Sequence, residues 1–445
     1  MTRHFTLLLR AYSLALVFVA LAIPASAIEI KPVTGPKSGV TAWLVEDHTN
    51  PIITMSFAWR GGAALDPAGK DGVANFVAST LDEGAGDMNS QTFQGTLEDL
   101  AMRLSFRAEL DIFSGSMETL SENQDAAFEL LRLAITHPRF DEEPVERIRR
   151  QIISGIRRDS ENPRSIAARE LMHALFPDHP YAREVEGKLE TVPQIQTTDL
   201  RQFLANRLAR NNLLIGAVGD ITPEQLAQRL DQVFGALPAE AKPWSLPFAT
   251  PHAADRVIVV EKPVPQSVIR WAQAGLLRKD PDFFAAYIMN HILGGGGFES
   301  RLVTEVREKR GLAYSAWSSV STMQHAGLIL GGTDTRNESA AKSLEVARAE
   351  WQRMQEAGVS AAELEDAKTY LTGSYALQFS SSRSIASILM RLQVDELGID
   401  YIDRRDGLIA AVTREDIQRV ARALLTSDKL TVVVVGTPKD IAPKP

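Results

Sequence analysis

Arg307 and Tyr314 stand seven residues apart in Arg307-Glu308-Lys309-Arg310-Gly311-Leu312-Ala313-Tyr314, and they offer hydrogen-bond donors of two kinds. A guanidinium presents a fixed fork of N–H groups and a phenol one O–H, so the pair can hold a peptide carbonyl or the oxyanion formed when that carbonyl is attacked. Just upstream, Gly294-Gly295-Gly296-Gly297 opens backbone conformations closed to other residues. The run lacks the Gly-Lys-Ser/Thr ending of a nucleotide phosphate loop. Other chemistry-bearing types are sparse. The chain has no Cys, which excludes disulfides, thiolate zinc sites, iron–sulfur clusters and cysteine nucleophiles. No Gly-x-Ser-x-Gly elbow occurs, and no two of the eight His residues stand three or four apart.

The elements that must position this pair are legible. Residues 300–310 read as a helix: Lys309 and Arg310 suit the negative end of its dipole and Gly311 can take a left-handed cap. Residues 313–320 then read as a strand. Residues 54–59 alternate Met55, Phe57 and Trp59 with Thr54, Ser56 and Ala58, the pattern of a half-buried strand. Strands are also expected over 257–260 and 268–272, and amphipathic helices over 340–357 and 361–375. One unit recurs: Asp199 opens a helical stretch followed by an apolar strand ending at Gly219, and Asp416 opens another followed by a strand ending at Gly436. Both offsets are 217 residues. Between the halves, residues 236–255 hold four prolines and almost no periodicity, as an extended tether would. Two α+β domains, 28–235 and 256–445, are expected around it.

At 445 residues, 44% apolar and 23% charged, the composition is that of a globular protein. Forty-eight Lys and Arg against 56 Asp and Glu leave a net charge of -8, which argues against nucleic acid as a partner. Arg3 and Arg10, an apolar run over 11–23 and then Pro24-Ala25-Ser26-Ala27 have the order of a signal peptide. Residues 1–27 are expected to be cleaved, leaving no membrane span, the alternative being their retention as an N-terminal anchor. The absence of thiols suits a periplasmic location.

Ser300-Arg301-Leu302 followed by the stretch from Arg307 to Ser315 closely resembles the C-terminal-half motif of the insulinase-like zinc peptidases, the group containing pitrilysin and mitochondrial processing peptidase. Asn162-Pro163, His179-Pro180-Tyr181 and Val218-Gly219-Asp220 extend the resemblance over almost the whole mature chain. It implies an α+β fold of two tandem homologous α/β-sandwich domains forming half of a clamshell around a peptide. It also implies that Arg307 and Tyr314 reach across the chamber towards substrate near the metal.

Members of that family that cleave peptides carry His-x-x-Glu-His on a helix and a further Glu about seventy residues on, which together hold zinc and activate water. The corresponding stretch here, residues 72–81, places Asn75 and Ser79 where the His ligands stand and Ala78 where the base stands. Gly155 falls at the remote Glu. The helix pattern persists, with Val73, Phe76, Val77 and Leu81 as a buried stripe. Asn75, Ala78, Ser79 and Asp82 share a second face, and amide and hydroxyl groups are feeble zinc ligands beside imidazole. No metal or other cofactor is expected in this chain.

The reading is a non-catalytic subunit: a zinc-bearing homologous subunit carries the metal, this chain supplies Arg307 and Tyr314, and Gly294, Gly295, Gly296 and Gly297 form a flexible loop that touches a peptide or unfolded polypeptide. Extended substrate would join an exposed sheet edge. The alternative is a peptide-capturing or structural scaffold with no catalytic partner. Activity through an atypical metal site conflicts with the lost ligands.

Overall fold

The computed structural model describes residues 28–426 and 429–444, and the signal-peptide reading of residues 1–27 lies outside them. Strands β1 (Lys31–Thr34), β2 (Thr41–Glu46), β3 (Ile52–Arg60), β4 (Arg103–Ala108), β5 (Ile112–Leu120) and β6 (Leu213–Gly219) form one sheet in the order β1-β2-β6-β3-β5-β4. Strands β7 (Val257–Glu261), β8 (Gln266–Ala274), β9 (Ala313–Thr322), β10 (Gly327–Arg336) and β11 (Thr431–Gly436) form a second, in the order β7-β11-β8-β10-β9. Each sheet has a single parallel pair, β2 with β6 and β7 with β11, in an otherwise antiparallel array. The repeated glycines occupy equivalent places, Gly219 opposite Glu46 and Gly436 opposite Glu261. The halves are therefore tandem copies of one α/β design, differing by the extra β1. Among the described residues, no helix is long and apolar enough to cross a membrane.

The alternation in β3 predicts one wet face, yet Ile53 through Trp59 are all buried. Met55, Phe57 and Trp59 enter the first half's own core. The other face lies under helix Ser382–Val394, which belongs to the second half by sequence: Ala386 and Leu389 pack with Val45 and Val218, and Met390 and Val394 with Ala58 and Ile112. The converse holds on the second sheet. Helix Pro163–Leu175 of the first half packs Ile166, Ala167, Leu171 and Leu175 with Val268, Ala272, Val433 and Val435. Each half thus covers the other's sheet.

Local sequence starts both exchanged helices. Asn162 accepts from the Arg164 amide at 2.9 Å with Pro163 in the first turn, and Ser381 accepts from the Ser384 amide at 3.2 Å. These are favourable N-caps, and Pro in the first turn removes no helical hydrogen bond. His179-Pro180-Tyr181 has a structural role too. The Tyr181 hydroxyl, fully buried, donates to Asp111 at 2.7 Å and accepts from the His325 amide at 3.0 Å, while Asp111 also accepts from the Gln324 amide at 3.0 Å. This network ties the β4–β5 turn to the β9–β10 turn. Residues 235–256 contain neither helix nor strand, and they are fastened at both sides, the His252 amide to the Leu175 carbonyl and the Ala249 amide to the His325 carbonyl.

Helix Ser382–Val394 reaches β6 only because position 216 has no side chain. A Cβ on Gly216 would lie 2.3 Å from the Ala386 carbonyl oxygen and 2.7 Å from the Leu389 Cβ. Gly216→Ala is expected to destabilise the protein by about 1–3 kcal/mol through overpacking, measured as a lowered urea midpoint at unchanged slope.

Candidate functional site

The helix expected over residues 72–81 is shorter, running Val73–Ala78. The Asp66 carboxylate caps it from a distance, accepting from the Gly72 amide at 2.8 Å and the Ala74 amide at 3.1 Å. At the other end, the Ser79 hydroxyl donates to the Asn75 carbonyl at 2.9 Å and the Thr80 hydroxyl to the Phe76 carbonyl at 2.8 Å. Such back-bonding satisfies carbonyls that a helix end leaves open. Val73, Phe76, Val77 and Leu81 are buried as the spacing predicts, and Ala78 is buried with them. Asn75 and Ser79 are half-buried. Gly155 lies within helix Glu142–Glu161 in open space, where a Cβ would meet only an Arg158 guanidinium nitrogen at 3.8 Å.

The neighbouring carboxylates do not replace the missing ligands. Glu83 accepts from Arg147 and from the Ser90 hydroxyl, both at 2.5 Å. Burial pushes the Asp82 carboxyl up, favouring its neutral form. Among the described residues, no three His, Asp or Glu side chains gather where they could share a cation. An amide, a back-bonded hydroxyl, a methyl and a glycine do not fit zinc.

In the second half, the helix expected over 300–310 is a short α-turn, Arg301–Val303, that opens into a π-helix, Thr304–Glu308. Gly311, at φ +60°, turns the chain, with its amide on the Arg307 carbonyl at 2.8 Å and the Leu312 amide on the Val306 carbonyl at 2.9 Å. Lys309 and Arg310 do more than face a dipole: both pair with Glu305, at 2.6 Å and 2.5 Å. The chain then enters β9, an edge strand, through a bulge. Ala313 lies opposite Thr335 and Ser315 opposite Asp334, which leaves Tyr314 as the extra, unpaired residue. The Thr335 hydroxyl on the Leu312 carbonyl (2.6 Å) and the Thr333 hydroxyl on the Ser315 carbonyl (2.8 Å) fasten both sides of it. A bulge re-aims a side chain.

These two irregularities bring the predicted pair together. The Arg307 guanidinium carbon lies 4.5 Å from the Tyr314 ring centroid, over the ring. Tyr314 is 80% exposed. Among the described residues, no carboxylate pairs with Arg307 and no group bonds the Tyr314 hydroxyl. Pattern reading missed a third member, Phe298, whose ring the same guanidinium overlies at 4.7 Å.

The loop expected to be flexible at 294–297 is packed at its start, while Gly296 is half-buried and Gly295 and Gly297 are exposed. Helix Phe283–Asn290 continues as a π-helix, His291–Gly295. Gly294 is buried, and a Cβ there would lie 2.5 Å from the Ser318 amide nitrogen. That position serves contact with β9, so it presents no surface to a peptide. Gly295 and Gly296 would meet Asn290 and His291 at 2.8 Å and 2.9 Å, and Gly297, at φ +63°, has open space.

Arg301 of the same motif is structural. Its buried guanidinium forks onto Glu363 at 2.7 Å and 2.9 Å and donates to the Gly358 carbonyl at 2.9 Å. Burial opposes ionisation of Glu363, but Arg301 and the Ser360 amide and hydroxyl hold its carboxyl down at about 2. A carboxyl depressed in the folded state stabilises fully above its unfolded value, near 4.5, and loses that contribution as pH falls towards 2. Glu363→Gln is expected to cost about 1–2 kcal/mol at pH 7, solvent screening included, with the difference shrinking below about pH 4.5 in denaturation curves. Gly155→Ala, in a helix interior with room for a side chain, should raise stability by about 0.5–1 kcal/mol by the same measurement.

The model of the family described as Insulinase (Peptidase family M16) matches residues 42–188, and that described as Peptidase M16 inactive domain matches residues 194–371. The chain is 25% identical over 396 residues to "Non-peptidase homolog YmxG" of Helicobacter pylori, covering 88% of this chain and 91% of that protein. It is 26% identical over 379 residues to an "Uncharacterized zinc protease" of Streptomyces coelicolor, covering 82% and 77%. The crystal structure of a peptidase M16 inactive domain from Pseudomonas fluorescens superposes with a TM-score of 0.86 at 28% identity, covering 94% of this chain and 99% of that one. With two matched sheets, reciprocal helices and both family models in series, the chain belongs to the insulinase-like (M16) peptidase family, as a member without the zinc-binding motif.

Proposed function

We propose that this chain is the non-catalytic, peptide-binding subunit of an insulinase-like peptidase, closing a clamshell with a zinc-bearing homologue. One contrast carries the reading. The three ligand positions hold Asn75, Ser79 and Gly155 and the base position holds Ala78, whereas a half-buried Arg307 and an exposed Tyr314 are held together, unpaired with any carboxylate among the described residues. A scaffold alone has no need of a free cation beside a free phenol. The name of the Helicobacter pylori relative, a non-peptidase homolog, agrees with the lost chemistry.

In this role the Arg307 N–H groups and the Tyr314 O–H donate to a peptide carbonyl and hold it more strongly as negative charge develops on its oxygen. The metal and the attacking water belong to the partner. Asn75 and Ser79 leave the first half's site without imidazole ligands and Ala78 leaves it without a proton-moving group, so this chain binds and orients. The order of charged, apolar and small residues over 1–27 supports export to the periplasm.

The full chain is expected to hold no stoichiometric zinc and to cleave no fluorogenic peptide alone, and to support cleavage when mixed with a His-x-x-Glu-His homologue from the same genome. Arg307→Ala should then lower kcat/KM by about 100-fold or more and Tyr314→Phe by about 10-fold. Turnover indifferent to both substitutions supports the scaffold reading instead, and tightly bound zinc in the isolated chain overturns both.

A further inference from the structure

Phe298 is 66% exposed and Tyr314 80% exposed, so neither ring is explained by the core. Both meet the same guanidinium, Arg307, at 4.7 Å and 4.5 Å from their centroids. The chain is shaped to deliver Phe298 there. Gly297 takes φ +63°, a conformation costly for other residues, and the Ser300 hydroxyl donates to the Gly297 carbonyl at 2.7 Å, closing the turn behind the ring.

Nearby cations are neutralised while this one is not. Lys309 and Arg310 pair with Glu305 and Arg301 with Glu363, but no carboxylate among the described residues reaches Arg307, although Glu299 and Glu308 are exposed and close in sequence. Two rings restrict where the guanidinium can lie and shield it from water, which strengthens what its remaining N–H edge can bind. Such an edge is a two-pronged donor that can hold a carbonyl oxygen and, where a peptide offers one, a carboxylate bidentately.

We infer that Phe298, Arg307 and Tyr314 form a receptor for a peptide carboxylate, with Phe298 as the residue that positions the guanidinium. The carboxylate is either a peptide's C-terminus or an acidic side chain. This inference rests on the proposed peptide-binding role and narrows it to a class of peptide.

The test is fluorescence anisotropy of the full chain with labelled ten-residue peptides. One pair has no acidic side chain and ends in a free carboxylate or an amide; a second pair is amidated and carries one internal Glu or Gln. In at least one pair the acid is expected to bind about 10-fold more tightly than its neutral counterpart, and the pair that shows it identifies the source. Phe298→Ala should weaken acid binding by about 2- to 5-fold more than it weakens binding of the neutral counterpart. Phe298→Tyr should restore the acid preference, and Arg307→Gln should abolish it. Because Phe298 is exposed, an unchanged thermal melt of Phe298→Ala separates this effect from misfolding. Binding blind to charge in both pairs, or an acid preference untouched by Phe298→Ala, overturns this inference alone. Failure to bind any of the four peptides overturns it together with the peptide-binding role.

Discussion

The exchange of helices between the halves is the contact on which the rest of the structure depends. A sheet whose two faces are both apolar or small needs two covers, and each half makes only one from its local sequence. Helix Ser382–Val394 closes the back of the first sheet and helix Pro163–Leu175 the back of the second. Removing either would expose strands buried on both sides, at about 25 cal/mol for each Å² of apolar surface returned to water. The relative placement of the halves is therefore fixed by the cores themselves. Arg60 adds to this by donating to the Gln393 and Val394 carbonyls at the end of the exchanged helix, both at 3.0 Å.

That arrangement explains how the fold outlasts its chemistry. In helix Val73–Ala78 the buried stripe faces the core and Ala78 joins it, while Asn75 and Ser79, on the face that the family uses for metal, are only half-buried. A methyl at 78 suits the core, and the hydroxyls at the helix's C-terminal end settle onto backbone carbonyls. Arg147 then neutralises Glu83, which would otherwise be a half-buried charge without a partner. The region has been converted from a ligand set into ordinary helix packing, and the sheets need not move.

Much of this was legible in the sequence, and the remainder was hidden for identifiable reasons. The 217-residue repeat, the helix over 340–357 and the strand following Gly311 rest on periodicity, which survives in any context. The lost ligands were legible because a side chain that cannot bind metal is evident from its type. The helix exchange was not, since an amphipathic helix announces that it has an apolar face but not which sheet will receive it. For the same reason Thr54, Ser56 and Ala58 looked like a solvent face, whereas small residues also suit close contact with a helix. The glycine run misled in a related way. Glycine marks freedom when unpacked and close approach when packed, and Gly294 against Ser318 is the second case.

The candidate site was the hardest to read because it is assembled from departures from regular structure. A π-turn adds a residue to a helix and a bulge adds one to a strand, and neither has a period of its own. In this chain the two fall on either side of Gly311, and together they convert a seven-residue spacing into a side-chain contact. Regular helix and strand would direct Arg307 and Tyr314 by the demands of packing alone. Both irregularities are fastened, the first by Lys309 and Arg310 on Glu305, the second by Thr333 and Thr335 on the carbonyls that flank Tyr314. A packed fold that merely needed to end a helix and begin an edge strand would have no use for such bracing. The bracing holds a half-buried cation against two exposed rings, with no carboxylate of the described residues on its remaining edge.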